Sequence, residues 1–216
     1  MDEVARFRTA VTASADTAAL DPAVATLAGG IRIAVLVEGE SDRVAIETLA
    51  ERLGRNLASE AVCVMALGGV TSIGRFLDVL VPAGVALAGM CDAGEERYFE
   101  RGLERAGLGF GLSRTTMETL GFFACERDLE DELFRAIGLD GVEFAIEGEG
   151  DLRALRSLQN QPFQRTRTRE QQLRRFMGSI GGRKSQYARA LVQALDLGRV
   201  PRPLALLLEH VRPSAR

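Results

Sequence analysis

The sequence predicts an α/β fold, in which a parallel sheet of about four strands is flanked by helices and followed by a helical C-terminal region. Short apolar segments rich in β-branched residues alternate with helical patterns after residue 30, which is typical of repeated βα units. From residue 151 onward the chain shows only helical patterns, separated by glycine and proline. With 216 residues, of which 46% are hydrophobic, the chain is long enough to bury a sizeable core.

The first predicted helices and the first predicted strand lie within residues 1–49. Residues 1–29 are rich in Ala and Thr, and we expect one or two helices there that pack against the sheet. The segment Ile33–Val37 is apolar and mostly branched, and it stops at Glu38, which predicts a buried strand. Ser41 and Asp42 then suit the start of a helix, because their side chains accept hydrogen bonds from free backbone N–H groups.

Three further strand-and-helix pairs follow along the chain. Each is an apolar run that ends at a glycine pair or near an acid and precedes a helical pattern: strand 61–67 with helix 71–80, strand 85–91 with helix 95–106, and strand 120–125 with a helix up to residue 137. Strands that are joined by helices pair in parallel, with right-handed connections. The pattern therefore predicts a parallel sheet covered on both faces.

Acidic residues recur where the predicted strands end. Glu38 and Asp42 follow the first strand, Asp92 follows the third, and Asp128, Glu130 and Asp131 follow the fourth. Carboxylates that meet at one sheet edge repel one another unless a cation is present, and oxygen ligands suit Mg²⁺ or Mn²⁺. The pattern favours a metal site, although the helix dipole also favours acids in the first turns of ordinary helices.

The order of these motifs resembles the Toprim domain, a Rossmannoid fold found in topoisomerases, bacterial primases, small maturation nucleases and overcoming-lysogenization-defect nucleases. Residues 35–42, VLVEGESD, resemble its first motif, and residues 88–92, AGMCD, resemble its second. The pair Gly68-Gly69 and residues 128–133, DLEDEL, are most similar to the lysogenization-defect type. The resemblance covers roughly residues 31–195.

This resemblance implies three regions and a divalent metal site. The regions are an N-terminal helical extension at 1–29, a Toprim-like domain at 30–140 and a helical, arginine-rich C-terminal region at 141–216. One or two Mg²⁺ or Mn²⁺ ions would be held by carboxylates, namely Glu38, Asp42, Asp92 and Glu130, with Asp128 or Glu95 as additional ligands. Glu38 is also a candidate for the general base or acid.

The second motif departs from the family pattern. The family has Asp-x-Asp at this position, where both acids serve the metal, but this chain has Asp92-Ala93-Gly94 followed by Glu95 and Glu96. Gly94 has no side chain to act as a ligand. Two interpretations stay open from the sequence: Glu95 reaches the same ion, or the second metal is weak or absent and Glu95 and Glu96 only begin the next helix.

Lys184 is the one lysine among 27 basic residues, all the others being arginine. Lysine is a compact charge on a flexible stem and is not interchangeable with the arginine fork. In the lysogenization-defect nucleases a lysine before a late helix is thought to assist at the scissile phosphate, and Lys184 matches that place in the order of motifs. The resemblance therefore implies a catalytic role for Lys184, the alternative being a lysine on a solvated turn.

Positive charge is concentrated in residues 151–190. This segment has ten basic residues against two acidic ones, a net charge of +8 in a chain whose total is −3. Such asymmetry favours a surface for a polyanion, although the basic face would also suit the acidic part of the same protein. The candidate nucleic-acid-binding residues are Arg165, Arg167, Arg169, Arg174, Arg175 and Arg183.

The function predicted from these features is metal-dependent hydrolysis of phosphodiester bonds, with DNA as the expected substrate. Two alternatives stay open: a non-catalytic Toprim module that binds nucleic acid or a partner protein, and an RNA-maturation nuclease. The lysogenization-defect nucleases usually join this domain to an ATPase. No Gly-x-x-x-x-Gly-Lys-Ser/Thr loop occurs in these residues, so we do not expect them to hydrolyse ATP, and a separately encoded ATPase partner stays open.

Other classes of protein fit the sequence less well. No apolar run approaches the roughly 20 residues that span a bilayer, and residues 1–11 lack the layout of a secretory signal, so we expect a cytoplasmic protein that does not enter the membrane. The three cysteines match no zinc motif and are expected to be buried, reduced thiols. With His210 as the single histidine, a Ser-His-Asp triad is not expected.

Overall fold

A four-stranded parallel sheet forms the centre of the molecule. In the computed structural model, which describes residues 2–17, 21–179 and 183–213, the strand order is β2-β1-β3-β4. The strands are β1 (Ile33–Val37), β2 (Val62–Ala66), β3 (Ala86–Cys91) and β4 (Phe122–Ala124). The predicted α/β class, with a parallel sheet of four strands, is confirmed.

Helices cover both faces of this sheet. The α-helices are α1 (Glu3–Thr17), α2 (Pro22–Ala28), α3 (Glu40–Arg52), α4 (Ile73–Leu80), α5 (Glu96–Arg105), α6 (Arg114–Thr119), α7 (Leu129–Gly148), α8 (Leu152–Gln159), α9 (Arg169–Ser179), α10 (Lys184–Ala194) and α11 (Arg202–His210). Short 3₁₀ turns lie at Val70–Ser72, Ala93–Glu95, Pro162–Gln164 and Leu197–Arg199. Within the described residues, no helix is long and apolar enough to cross a membrane.

The two faces of β1 contribute to two separate cores. Ile33, Val35 and Val37 pack on one face with residues of α3, α7, α10 and α11. Ala34 and Leu36 pack on the other face with residues of α1, α2, α4 and α5. Because side chains alternate along a strand, a continuous apolar run is needed when helices cover both faces. The two N-terminal helices that we expected do pack against this sheet.

The structure corrects the predicted boundaries of several elements. The first helix after β1 begins at Glu40, and its cap is Gly39 rather than Ser41. The fourth strand is only three residues long and follows the short helix α6, which the sequence pattern did not indicate. Helix α7 extends past residue 137, but Gly138 has φ 73° and ψ 166° inside it, so the first helical segment does end near the expected position.

Arginines of the N-terminal half form hydrogen bonds with the backbone of the C-terminal region. At the end of α3, Arg52 donates from Nη1 to the carbonyl oxygens of Val192, at 2.6 Å, and Leu195, at 2.5 Å. Arg55 donates to the Leu208 carbonyl oxygen at 2.5 Å. These carbonyls lie at or near the ends of α10 and α11, where backbone acceptors lack helical partners. The region from residue 141 therefore shares a core with the sheet, and its proposed boundary stays a prediction.

The three cysteines lie where the sequence predicted them to be. Cys63, Cys91 and Cys125 are free and buried, and burial raises the pKa of each thiol. A buried thiol with a raised pKa is a poor nucleophile and a poor metal ligand at neutral pH. The chemistry of the site therefore depends on oxygen and nitrogen groups.

Candidate metal centre

The topology of the sheet creates a cleft at the carboxyl ends of its strands. Strand β1 pairs with β2 on one side and with β3 on the other, so the chain leaves the ends of β1 and β3 in different directions. Such a switch point opens a crevice in α/β sheets. A cleft of about 550 Å³ lies here, and the charged groups that line it include Glu38, Asp42, Asp92, Asp128, Glu130 and Lys184.

Three carboxylates meet at the centre of this edge. Glu38 follows β1, Asp92 follows β3, and Glu95 ends the 3₁₀ turn Ala93–Glu95. One oxygen of each lies within 4.8 Å of the others. The Glu95 Oε2 atom is buried and has no hydrogen-bond partner among the described residues. A buried carboxylate oxygen without a donor, beside two further carboxylates, fits a divalent cation that takes oxygen ligands.

The proximity of these acids raises their pKa values. Burial, followed by the charges of Asp42, Asp128 and Glu38, raises the pKa of Asp92 to about 7. Burial and the neighbouring Glu38 and Asp92 carboxylates raise the pKa of Glu95 to about 7. Like charges in a low-dielectric site oppose ionisation. A bound cation would reverse this effect, since it stabilises the ionised forms.

Asp42 lies in the first turn of α3 and also lines the cleft. Its Oδ2 accepts a hydrogen bond from the Gly39 N–H at 2.8 Å, which holds the carboxylate at the end of β1. Burial raises the pKa of Asp42 to about 6, against the lowering effect of that hydrogen bond, and the charges of Glu38 and Asp128 add to the rise. The side chain thus connects the acids after β1 with those after β4.

Asp128 and Glu130 enter from the start of α7. Asp128 caps this helix, since its Oδ1 accepts the Asp131 N–H at 2.6 Å. Burial raises the pKa of Glu130, while the cations Arg174 and Lys184 oppose the rise. Five of the acids that follow β1, β3 and β4 line one cleft, namely Glu38, Asp42, Asp92, Asp128 and Glu130. Asp131 instead pairs with Arg174 and Arg135.

Three cations of the described residues line the cleft together with these carboxylates: Lys184, Arg174 and the exposed Arg127. Lys184 is the exposed first residue of α10, and its charge lowers the pKa of both Asp42 and Glu130. Among the described residues it has no ion-pair partner within 4.0 Å. The Lys184 ammonium is therefore close enough to act on the acids and still free to contact a ligand.

Arg174 is the second cation, and its position was not evident from the sequence. Its guanidinium lies over the Phe134 ring, 4.6 Å from the ring centre, and pairs with Asp131. It is also 4.0 Å from both Asp128 and Glu130. Nothing in the local pattern separates Arg174 from the adjacent Arg175, which is exposed. Only the packing of α9 against α7 distinguishes these two residues.

The remaining candidate arginines fall into two groups. Arg169 pairs with Glu143 at 2.7 Å and with Asp140 at 2.6 Å, and Arg183 pairs with Asp151. Arg165, Arg167 and Arg175 are exposed and have no ion pair with any residue in the described part of the chain. Part of the basic segment thus binds acids of its own chain, and part is available to a polyanion.

The departure at the second motif is visible in the structure. Gly94 is exposed and offers no ligand, and a Cβ added there would meet nothing within 4 Å. Glu95 lies beside Glu38 and Asp92, whereas the next acid, Glu96, pairs with Arg114. The two consecutive glutamates therefore have different surroundings, which the sequence did not distinguish.

The fold and the site together define a Toprim-type domain: a parallel sheet with acids after its first and third strands. Comparison with known families agrees, because residues 32–93 match the model of the TOPRIM domain of overcoming-lysogenization-defect (OLD) protein-like proteins. The chain thus contains an OLD-like TOPRIM domain. A search of curated proteins found no match.

Solved structures extend this similarity beyond the matched residues. The C-terminal region of the Xanthomonas campestris pv. campestris OLD protein has a TM-score of 0.65 and 25% identity, covering 84% of this chain and 94% of that one. The C-terminal region of the Burkholderia pseudomallei OLD protein has a TM-score of 0.64, covering 84% of this chain and 97% of that one. At 22% identity, the second likeness supports the fold alone.

Proposed function

We propose that this protein is a divalent-metal-dependent nuclease that hydrolyses phosphodiester bonds in DNA. The observation that supports it best is the cleft in which acids from the ends of β1, β3 and β4 face Lys184 and Arg174. Carboxylates can hold metal ions in this cleft, and the exposed Lys184 ammonium can contact phosphate. This combination suits a reaction at a phosphate, and the similarity to OLD-like TOPRIM domains favours the same class of chemistry.

Glu38, Asp92 and Glu95 form a first group of acids, which lie close enough together to hold a hard divalent ion. Asp42, Asp128 and Glu130 are further acids that line the cleft. When bound there, Mg²⁺ or Mn²⁺ would withdraw charge from a phosphate and make water a better nucleophile. The buried, unpartnered Glu95 Oε2 supports a cation at the first group.

The protein's own residues would orient the substrate and handle its charge. The Lys184 ammonium has three N–H donors and can neutralise negative charge that develops on the scissile phosphate. Arg174, stacked on Phe134, would hold Asp128 and Glu130 in place. Glu38 acts electrostatically on Asp42, Asp92 and Glu95. As the alternative to a role as metal ligand, we propose that it accepts the proton from the attacking water.

Nicking of supercoiled plasmid in Mg²⁺ or Mn²⁺ tests this proposal. We expect Glu38→Gln and Asp92→Asn to reduce nicking by about 100-fold or more, with circular dichroism and unfolding midpoints that show an intact fold. Glu126→Gln is the matched control, because Glu126 also follows β4 but is exposed and pairs with Arg135 outside the cleft. Wild-type nicking by both cleft variants would contradict the proposal.

The choice of DNA over RNA needs its own comparison. Structured RNA and plasmid DNA are incubated with the same enzyme under the same metal conditions, and the cleavage rates are compared. Cleavage of RNA without cleavage of DNA would favour the maturation nuclease instead. Binding of nucleic acid that persists in EDTA, with no cleavage in either metal, would favour a non-catalytic module.

A further inference from the structure

The turn between α8 and α9 presents an aromatic ring to solvent. We define residues 160–168 as the Phe163 loop. Phe163 lies in the 3₁₀ turn Pro162–Gln164, and 63% of its surface is exposed. A large apolar side chain so far from the core contributes little to folding, and its exposure to water costs free energy.

The backbone around Phe163 is fixed by its neighbours. The Gln164 side chain is buried, with 1% exposure, directly beside the exposed ring. The Gln164 N–H donates to the Gln161 carbonyl at 2.9 Å, and the Gln164 carbonyl accepts from the Arg167 N–H at 3.0 Å and from Gln172 Nε2 at 2.8 Å. Phe163 is therefore held outward by an ordered turn.

Two arginines without ion pairs follow this ring in the same loop. Arg165 and Arg167 are exposed and have no ion pair within the part of the chain that the structure describes. Acids that lie nearby are already occupied: Glu143 pairs with both Arg156 and Arg169. The loop thus combines an accessible aromatic face with two free guanidinium groups, which is the combination that binds single-stranded nucleic acid.

Another exposed phenylalanine shows what this combination adds. Phe110 is 97% exposed, in the glycine-rich segment 107–111. No basic residue lies within three positions of it, and Arg114, four positions away, pairs with Glu96. Exposure alone therefore does not distinguish Phe163 from Phe110. Phe163 differs because it lies in an ordered turn that is followed by two arginines without ion pairs.

We propose that the Phe163 loop binds single-stranded nucleic acid, with Phe163 stacked on an unpaired base and Arg165 and Arg167 contacting phosphates. Helix α9 begins at Arg169, immediately after the loop, and places Arg174 in the cleft about 7.5 Å further along its axis. A strand held by the loop can thus continue toward the carboxylates. The proposal deepens the proposed nuclease function, because it names single-stranded nucleic acid as the form of substrate that is bound. Only the path of the strand from the loop to the carboxylates rests on the nuclease function.

The absence of tryptophan from the chain makes a direct test of stacking available. Phe163→Trp introduces a single tryptophan whose fluorescence reports a base stacked on it. We expect saturable quenching when the full-length variant is titrated with oligothymidylate in EDTA. Phe110→Trp, the matched control, is expected to show no change at the same oligonucleotide concentrations.

Affinity measurements complete the test. By fluorescence anisotropy in EDTA, Phe163→Ala should weaken binding of oligothymidylate by about 5- to 150-fold, the loss expected for one stacked base, and should change duplex binding much less. Phe110→Ala should leave both unchanged. Three results would each overturn the proposal. The fluorescence of Phe163→Trp could stay unquenched when the oligothymidylate is fully bound, Phe163→Ala could bind it as tightly as the wild type does, or the wild type could fail to bind it. Because EDTA prevents cleavage, a failure of the nuclease proposal would be seen separately in the nicking assay.

Discussion

Replacement of Asp42 by Asn should stabilise the protein in the absence of metal. Asp42 has a pKa of about 6 in the folded chain, against 3.8 for an unperturbed aspartate, mainly because it is buried. The folded state therefore keeps the proton to a higher pH than the unfolded state does. As pH rises from about 4 to 6, ionisation costs the folded state free energy, and above pH 6 the cost is constant.

The size of this effect follows from the shift. A difference of about two pKa units corresponds to about 3 kcal/mol. Because Asp42 lines a cleft that water can enter, screening lowers this figure to about 2 kcal/mol. Asn stays neutral and keeps an oxygen that can accept the Gly39 N–H. For a chain of this size, 2 kcal/mol corresponds to a rise of about 4 to 8 °C in Tm.

Urea unfolding followed by circular dichroism measures this difference. In EDTA at pH 8, Asp42→Asn should be more stable than the wild type, and at pH 4 or below most of the advantage should disappear. Saturating Mn²⁺ should stabilise the wild type more than the variant, because ligands that bind only the folded state shift the equilibrium toward it. Glu51→Gln, which replaces an exposed acid on the same helix, is the control and should change stability by less than about 0.5 kcal/mol.

The opposite order of stability would refute the reasoning. If Asp42→Asn were less stable than the wild type at pH 8 in EDTA, the ionised carboxylate would be favourable in the fold. Its role would then be that of a helix cap held by Gly39, and the explanation of the acidic cleft as a site that needs a cation would lose its electrostatic basis.

Three further predictions concern other parts of the structure. Arg52→Ala should lower the free energy of unfolding by about 1 to 3 kcal/mol in urea, because carbonyl oxygens at the end of α10 lose a charged donor. Glu95→Gln should weaken Mn²⁺ binding roughly tenfold or more by calorimetry, and adding Gly94→Asp should restore part of it, since a Cβ at that position meets no atom within 4 Å. Mn²⁺ affinity should rise with pH through about 6 to 7, where Asp42, Asp92 and Glu95 ionise; a flat profile would contradict it.

Much of the sheet and the position of its acids could be predicted from local patterns. Apolar runs such as Ile33–Val37 identify strands, and parallel strands joined by helices place their carboxyl ends at one edge. This is why Glu38 and Asp92, which directly follow two strands, could be expected to lie together. The roles of these residues as metal ligands stay a proposal, since their convergence allows a cation without demonstrating one.

Features that depend on packing could not be predicted in the same way. Glu95 and Glu96 are adjacent acids, yet at the 3₁₀ turn Ala93–Glu95 the first lies beside Glu38 and Asp92 and the second pairs with Arg114. Arg174 and Arg175 are equivalent in the sequence, yet only Arg174 stacks on Phe134. Consecutive side chains on a helix point about 100° apart. The surroundings of each side chain therefore depend on which face of the helix packs against its neighbours.

The sequence by itself determined that this protein has an α/β fold of the Toprim type, with acids at the carboxyl edge of the sheet and a basic C-terminal segment. Periodicity and strand-end motifs are local, and they determine the elements and their order. The tertiary structure alone decided which arginines pair with acids of the same chain and which stay free, as Arg169 and Arg165 show. The pairs of Arg169 with Glu143 and of Arg183 with Asp151 join residues 26 and 32 positions apart, and only the packing of the helices brings them together.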